Sequence, residues 1–119
     1  MRWMLLLGVT ACGLEKPPAV CEDMCLAGTL LYGACLEDWG LDWTAAGYAD
    51  AQAHRDSCEV WAWEQAQFEA HARSQGIQSA EGWLADSCAS GLDEFESPEA
   101  TCSAYSEFPW TETPGEGVK

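Results

Sequence analysis

The stretch Cys21-Glu-Asp-Met-Cys-Leu-Ala-Gly-Thr-Leu-Leu-Tyr-Gly-Ala-Cys-Leu-Glu-Asp-Trp39 decides the fold. Cys21, Cys25, Gly28, Tyr32, Cys35 and Trp39 recur at steps of three and four, and such steps return to one face of an α-helix. Met24 and Leu31 widen that face. The spacing predicts a first helix from about Val20 to Trp39, with Gly40 as its stop. Three cysteines on one helical stripe imply staples to other helices. Cys21 and Cys25 are a C-x3-C pair one turn apart, so they face partners on different elements.

The same periodicity continues downstream. A second helix is expected over Thr44 to Ser74, striped by Tyr48, Ala51, His54, Cys58, Trp61, Gln65, Phe68 and Ala72 and ended by Gly76. Its Ala, Glu and Gln content suits a helix. A third is expected from an N-cap at Ser79 to about Ser90, with Gly91 beyond it, and Trp83, Leu84 and Cys88 on its apolar side. A fourth opens at Ser97-Pro98-Glu99 and reaches Tyr105. There a capping residue is followed by a proline that lacks only an N–H the helix does not use. No strand-period alternation competes. The expected fold is all-α: a small disulfide-stapled bundle of about four helices over residues 20–106, with a flexible tail over 107–119.

Cys21, Cys25, Cys35, Cys58, Cys88 and Cys102 all fall in proposed helices. A core of this size is marginal alone, and disulfides commonly supply the rest. Six cysteines allow fifteen pairings. Antiparallel register favours Cys25–Cys58, because a turn at Gly40 to Asp42 brings these two level. Cys21 and Cys35 then take Cys88 and Cys102 in either order.

A seventh cysteine stands apart. Met1 to Ala11 holds one base, Arg2, and an apolar run from Trp3 to Val9 that is too short to cross a membrane. Small residues and Cys12 follow. Val9-Thr10-Ala11-Cys12 resembles the lipobox of bacterial lipoproteins: an aliphatic residue, two small ones, then cysteine. The resemblance covers residues 1–12 only. It implies that residues 1–11 are a signal peptide, that Cys12 carries lipid, and that the chain is membrane-anchored in the cell envelope. Gly13 rather than an acid after the cysteine resembles lipoproteins sent to an outer membrane where there is one. Removing Cys12 from the count leaves an even six for disulfides. Residues 12–19, with Pro17 and Pro18, read as the lipidated cysteine and a semi-rigid tether.

Charge narrows the partners. Five basic and 20 acidic residues give −15, and the loss of Arg2 makes it −16. Nucleic acid needs Lys and Arg on its phosphates and is excluded as a partner. The anchor supplies the membrane contact, and an envelope protein is the partner the class admits.

No phosphate loop, dinucleotide fingerprint, nucleophile elbow or zincin motif is present, so no enzyme activity, cofactor or metal is assigned. His54 and Cys58 have ligand spacing, but a structural disulfide accounts for Cys58. Asp93-Glu94-Phe95-Glu96 lacks the glycine and alternation of a calcium loop. Among the tryptophans, Trp39, Trp43 and Trp61 are expected in the core. Trp63 lies about 200° around the helix from Trp61. Trp63 and Trp110 are therefore the candidates for an exposed interaction surface. The expected function is a lipid-anchored interaction or structural module. A secreted, unanchored ligand-binding or inhibitor domain and a small metal-dependent enzyme stand behind it.

Overall fold

The computed structural model describes residues 14–112. These residues form four α-helices: α1 (Ala19–Trp39), α2 (Ala51–Ser74), α3 (Trp83–Glu96) and α4 (Cys102–Glu107). A single 3₁₀ turn, Gln78–Ala80, precedes α3, and no strand occurs among the described residues. Cys12 and the lipobox lie outside them, as does the end of the expected tail.

Helix α1 is the spine. By length and composition it could cross a membrane. Its three cysteines instead tie it to each of the other helices: Cys21 to Cys88 on α3, Cys25 to Cys58 on α2, and Cys35 to Cys102 on α4. The C-x3-C pair thus serves two different elements. Met24, Ala27, Leu84, Phe95 and Phe108 fill the space between the staples. Gly40 ends α1 at φ 72°, a left-handed geometry that costs glycine nothing. The Leu41 N–H then returns to the Leu36 carbonyl at 2.8 Å.

Several expected boundaries are corrected. Helix α2 starts at Ala51, not Thr44. The Asp42 carboxylate accepts from Ala45 N–H at 2.8 Å and holds Trp43 to Gly47 in a turn. Asp50 then caps α2 by accepting from Ala53 N–H at 2.9 Å. Ser79 sits in the 3₁₀ turn and caps nothing. The cap of α3 comes from far away in sequence: the Glu69 carboxylate on α2 accepts from Leu84 N–H at 2.7 Å. A negative group there also suits the positive end of the helix.

Gly91 does not stop α3, which runs on to Glu96. It is buried, and a Cβ there would lie 2.6 Å from Phe108 and 2.8 Å from the Met24 sulfur. Its role is close approach. Ser97-Pro98-Glu99 ends α3 rather than opening α4, because the proline holds Ser97 in extended geometry. Helix α4 begins after Thr101.

The core also differs from the expected one. Trp39 is 53% exposed, and Phe68 is 49% exposed. The buried side of α2 runs instead through Cys58, Ala62, Gln65, Ala66 and Ala72, where small side chains let neighbouring elements approach. Trp43 and Trp61 are half-buried, Trp43 lying over Gly33. The expected loose tail is not loose at its start: Phe108 is core and Trp110 packs against it.

Candidate functional site

Three regions stand out: one beside His54, one on the solvent side of α1 and one beside Trp63 on α2. The first is centred on His54. Its imidazole is buried between α1 and α4. Nδ1 is 2.7 Å from the Thr29 hydroxyl, and Nε2 is 2.8 Å from the Tyr105 hydroxyl. Tyr32 stacks on the ring at 5.1 Å, with Trp43 and Tyr48 against it at 5.2 and 4.9 Å. Desolvation pushes the His54 pKa below its usual value. Burial, reinforced by Tyr48 and Tyr32, pushes that of Tyr105 well above the ordinary phenol range. Both are neutral at pH 7. With both ring nitrogens taken by hydroxyls, His54 has no lone pair free for a metal or a substrate. Cys58 is bonded to Cys25, so the His54–Cys58 ligand pair does not form. Asp93, Glu94 and Glu96 lie along α3, and among the described residues no three His, Cys, Asp or Glu side chains converge.

Beside His54, Tyr48, Ser57, Trp61, Tyr105 and Trp110 line an open cleft of about 280 Å³. The expectation that Trp110 is a free aromatic anchor is corrected here. Its indole N–H donates to the Tyr105 carbonyl at 2.8 Å. Its own carbonyl accepts from the Trp61 indole N–H at 2.8 Å. The residues after α4 are thereby folded back onto α2, and Trp110 is a wall of the cleft.

The second region is a leucine ridge on the solvent side of α1. Leu26 and Leu30 are one turn apart, and Leu30 is 67% exposed. Leu30 borders two hollows. One, of about 860 Å³, lies against Leu92 and Phe95 and is rimmed by Asp23 and Glu96. The other, of about 520 Å³, lies against Leu41 and Trp43 and is rimmed by Glu37 and Asp42.

The third region is Trp63, which is 41% exposed on α2. Lys16, Pro17 and Ala19 wall a small cleft of about 120 Å³ beside it. The tether here is docked rather than free. Glu15 exchanges two hydrogen bonds with the Gln67 side chain, at 3.0 and 2.7 Å, and pairs with Arg73 at 2.6 Å.

No family model, curated protein or solved structure matches this chain. The ridge was not among the residues singled out from sequence, although a signal was present. Leu26 and Leu30 sit at i, i+4 opposite the cysteine stripe, so α1 is apolar on more than one side. A helix apolar all round is normally enclosed, and this one is enclosed on one side only. The Thr29–His54–Tyr105 chain and the aromatic cleft carry no local signal, because the chain joins three helices and the cleft joins α2 and α4 to Tyr48 and Trp110 outside them.

Proposed function

We propose that this chain is a lipid-anchored module of the bacterial cell envelope that holds a basic amphipathic segment of an envelope protein on its leucine ridge. The exposed Leu26–Leu30 ridge between two acid-rimmed hollows carries the reading. Exposed aliphatic surface on a domain of charge −15 has a standing hydration cost that a partner relieves. Asp23, Glu37, Asp42 and Glu96 around it select cationic flanks. An anionic membrane surface is disfavoured by the same carboxylates. The three disulfides support an oxidising, extracytoplasmic compartment for the domain. Val9-Thr10-Ala11-Cys12 supports the anchor, and Gly13 supports an outer membrane where there is one. Two or three acyl chains on one cysteine hold a protein where a single chain does not.

Each half has its own test. Cys12→Ser should release the protein from membranes with the melting temperature unchanged. Equal membrane association of that variant removes the lipid anchor, and wild-type protein found free of membranes would make it a secreted domain. For the ridge, a helical peptide with a leucine face and lysine flanks should bind the wild type, and Leu30→Glu should weaken it by about tenfold or more. A peptide with the same leucine face and glutamate flanks should not bind. Equal binding of the two peptides sinks the partner chemistry.

A further inference from the structure

The cleft beside His54 is not explained by the leucine ridge, and it has a chemistry of its own. We propose that the corner formed by Trp61 and Trp110, with Tyr48 and Tyr105, is a binding site for a compact organic cation of the trimethylammonium class.

The Trp61 and Trp110 indole N–H groups are both consumed inside the protein, on the carbonyls of Trp110 and Tyr105. The Tyr105 hydroxyl is taken by His54. What these rings offer a ligand is their π faces, whose quadrupole is negative. Trp61 and Trp110 stand at 76° with centroids 5.1 Å apart. In this edge-to-face contact the edge of one ring lies on the face of the other, and the corner beside the contact is walled by the face of the first and the uncovered part of the second. A small sphere of positive charge placed there meets two faces at once, which is how cation–π recognition gains strength. A sugar ring wants one flat platform, and this corner does not provide it.

Electrostatics point the same way. No cation lines the cleft. Arg55 pairs with Glu59, Arg73 pairs with Glu15 and Glu69, and Lys16 lies in the hollow beside Trp63. His54 at the floor is neutral. No carboxylate lines the cleft either, so a strongly hydrated ammonium or metal ion has nothing to replace its water. A methylated ammonium is weakly hydrated and keeps its charge. The field of a −15 protein raises its local concentration. The volume of about 280 Å³ admits such a head group with room for a short substituent, which the Ser57 hydroxyl can meet.

The test is a titration of the intact, oxidised protein with choline at constant ionic strength, followed by tryptophan fluorescence and by the indole N–H resonances. Choline should saturate with a roughly millimolar Kd, as suits so small a ligand. Its neutral isostere 3,3-dimethylbutan-1-ol should bind at least about fivefold more weakly, because only the charge is removed. Tyr48→Phe, which keeps the π face, should bind choline like the wild type, and Tyr48→Leu should weaken it severalfold. Equal affinity for the neutral isostere overturns the proposal, as does the absence of saturation by choline. Should Tyr48→Leu fail to fold, the comparison of the two ligands on the wild type still decides.

Discussion

At the scale of single residues, two contacts between distant parts of the chain make measurable demands. Gly91 is the first. A methyl group there meets the Phe108 ring at 2.6 Å, and an aromatic ring wedged in a core has little room to yield. Gly91→Ala should therefore lower stability by about 1–3 kcal/mol, the usual cost of overpacking, although alanine is the better helix former. Chemical denaturation reads this directly, and a stabilised variant would show that Phe108 moves freely. The second is the His54–Tyr105 pair. His54 is held below its usual pKa of 6.5, so the unfolded chain binds the proton more readily. Its contribution is complete above pH 6.5 and is lost as the pH falls through the folded-state value. Tyr105 is held above its usual 10.0. Its contribution is complete below pH 10 and is lost as the pH rises beyond. Thermal unfolding should thus show a plateau with falls on both sides. His54→Asn should flatten the acid fall and leave the alkaline one, and an unchanged acid fall would assign it to other groups.

At the scale of elements, α4 is the one helix whose existence depends on its staple. It is six residues long, has no buried residue of its own and no side-chain cap. An isolated helix of that length does not form in water. Cys35–Cys102 closes a separation of 67 residues, and in the chain-entropy account such a loop is worth about 4 kcal/mol. Replacing both cysteines with serine should cost a large part of that. It should also loosen Tyr105, Phe108 and Trp110 together, since Tyr105 lies in α4 and the other two return over it. Amide exchange would report this as a cooperative loss over residues 102–110 with α1 to α3 still protected. Uniform loss across all four helices would mean that the C-terminal aromatics belong to one indivisible core. The tether is the opposite case. Its clamp of Glu15, Gln67 and Arg73 is exposed, and exposed ion pairs contribute little to stability.

At the scale of the whole molecule, charge opposes compaction and disulfides oppose unfolding. A balance of −15 over 119 residues is a self-repulsion that salt relieves. Raising sodium chloride from low to about 0.5 M should lift the melting temperature by roughly 2–5 °C, which for a domain of this size corresponds to under about 1 kcal/mol. A fall instead would mean that ion pairs such as Arg73–Glu15 outweigh the repulsion.

What the sequence determined by itself was local or periodic. The all-α class, the stapled bundle and the stop at Gly40 follow from steps of three and four and from one residue's conformational freedom. Cys25–Cys58 followed from register, which needs only helix rise and one turn. The outward direction of Trp63 followed from its angle to the cysteine stripe. What the tertiary structure alone decided lies between distant residues. Ser79 is a good capping residue, yet Glu69 from another helix caps α3, because nothing in a local window states which carboxylate will arrive there. Gly91 reads as a terminator until Met24 and Phe108 occupy the space its missing side chain leaves. Trp110 reads as an exposed anchor until its carbonyl receives the Trp61 indole. The choice of Cys88 for Cys21 and Cys102 for Cys35, the neutral His54 between two hydroxyls, and the aromatic corner are of the same kind. Each depends on which helix lies beside which, and packing in three dimensions, not the order of residues along the chain, settles that.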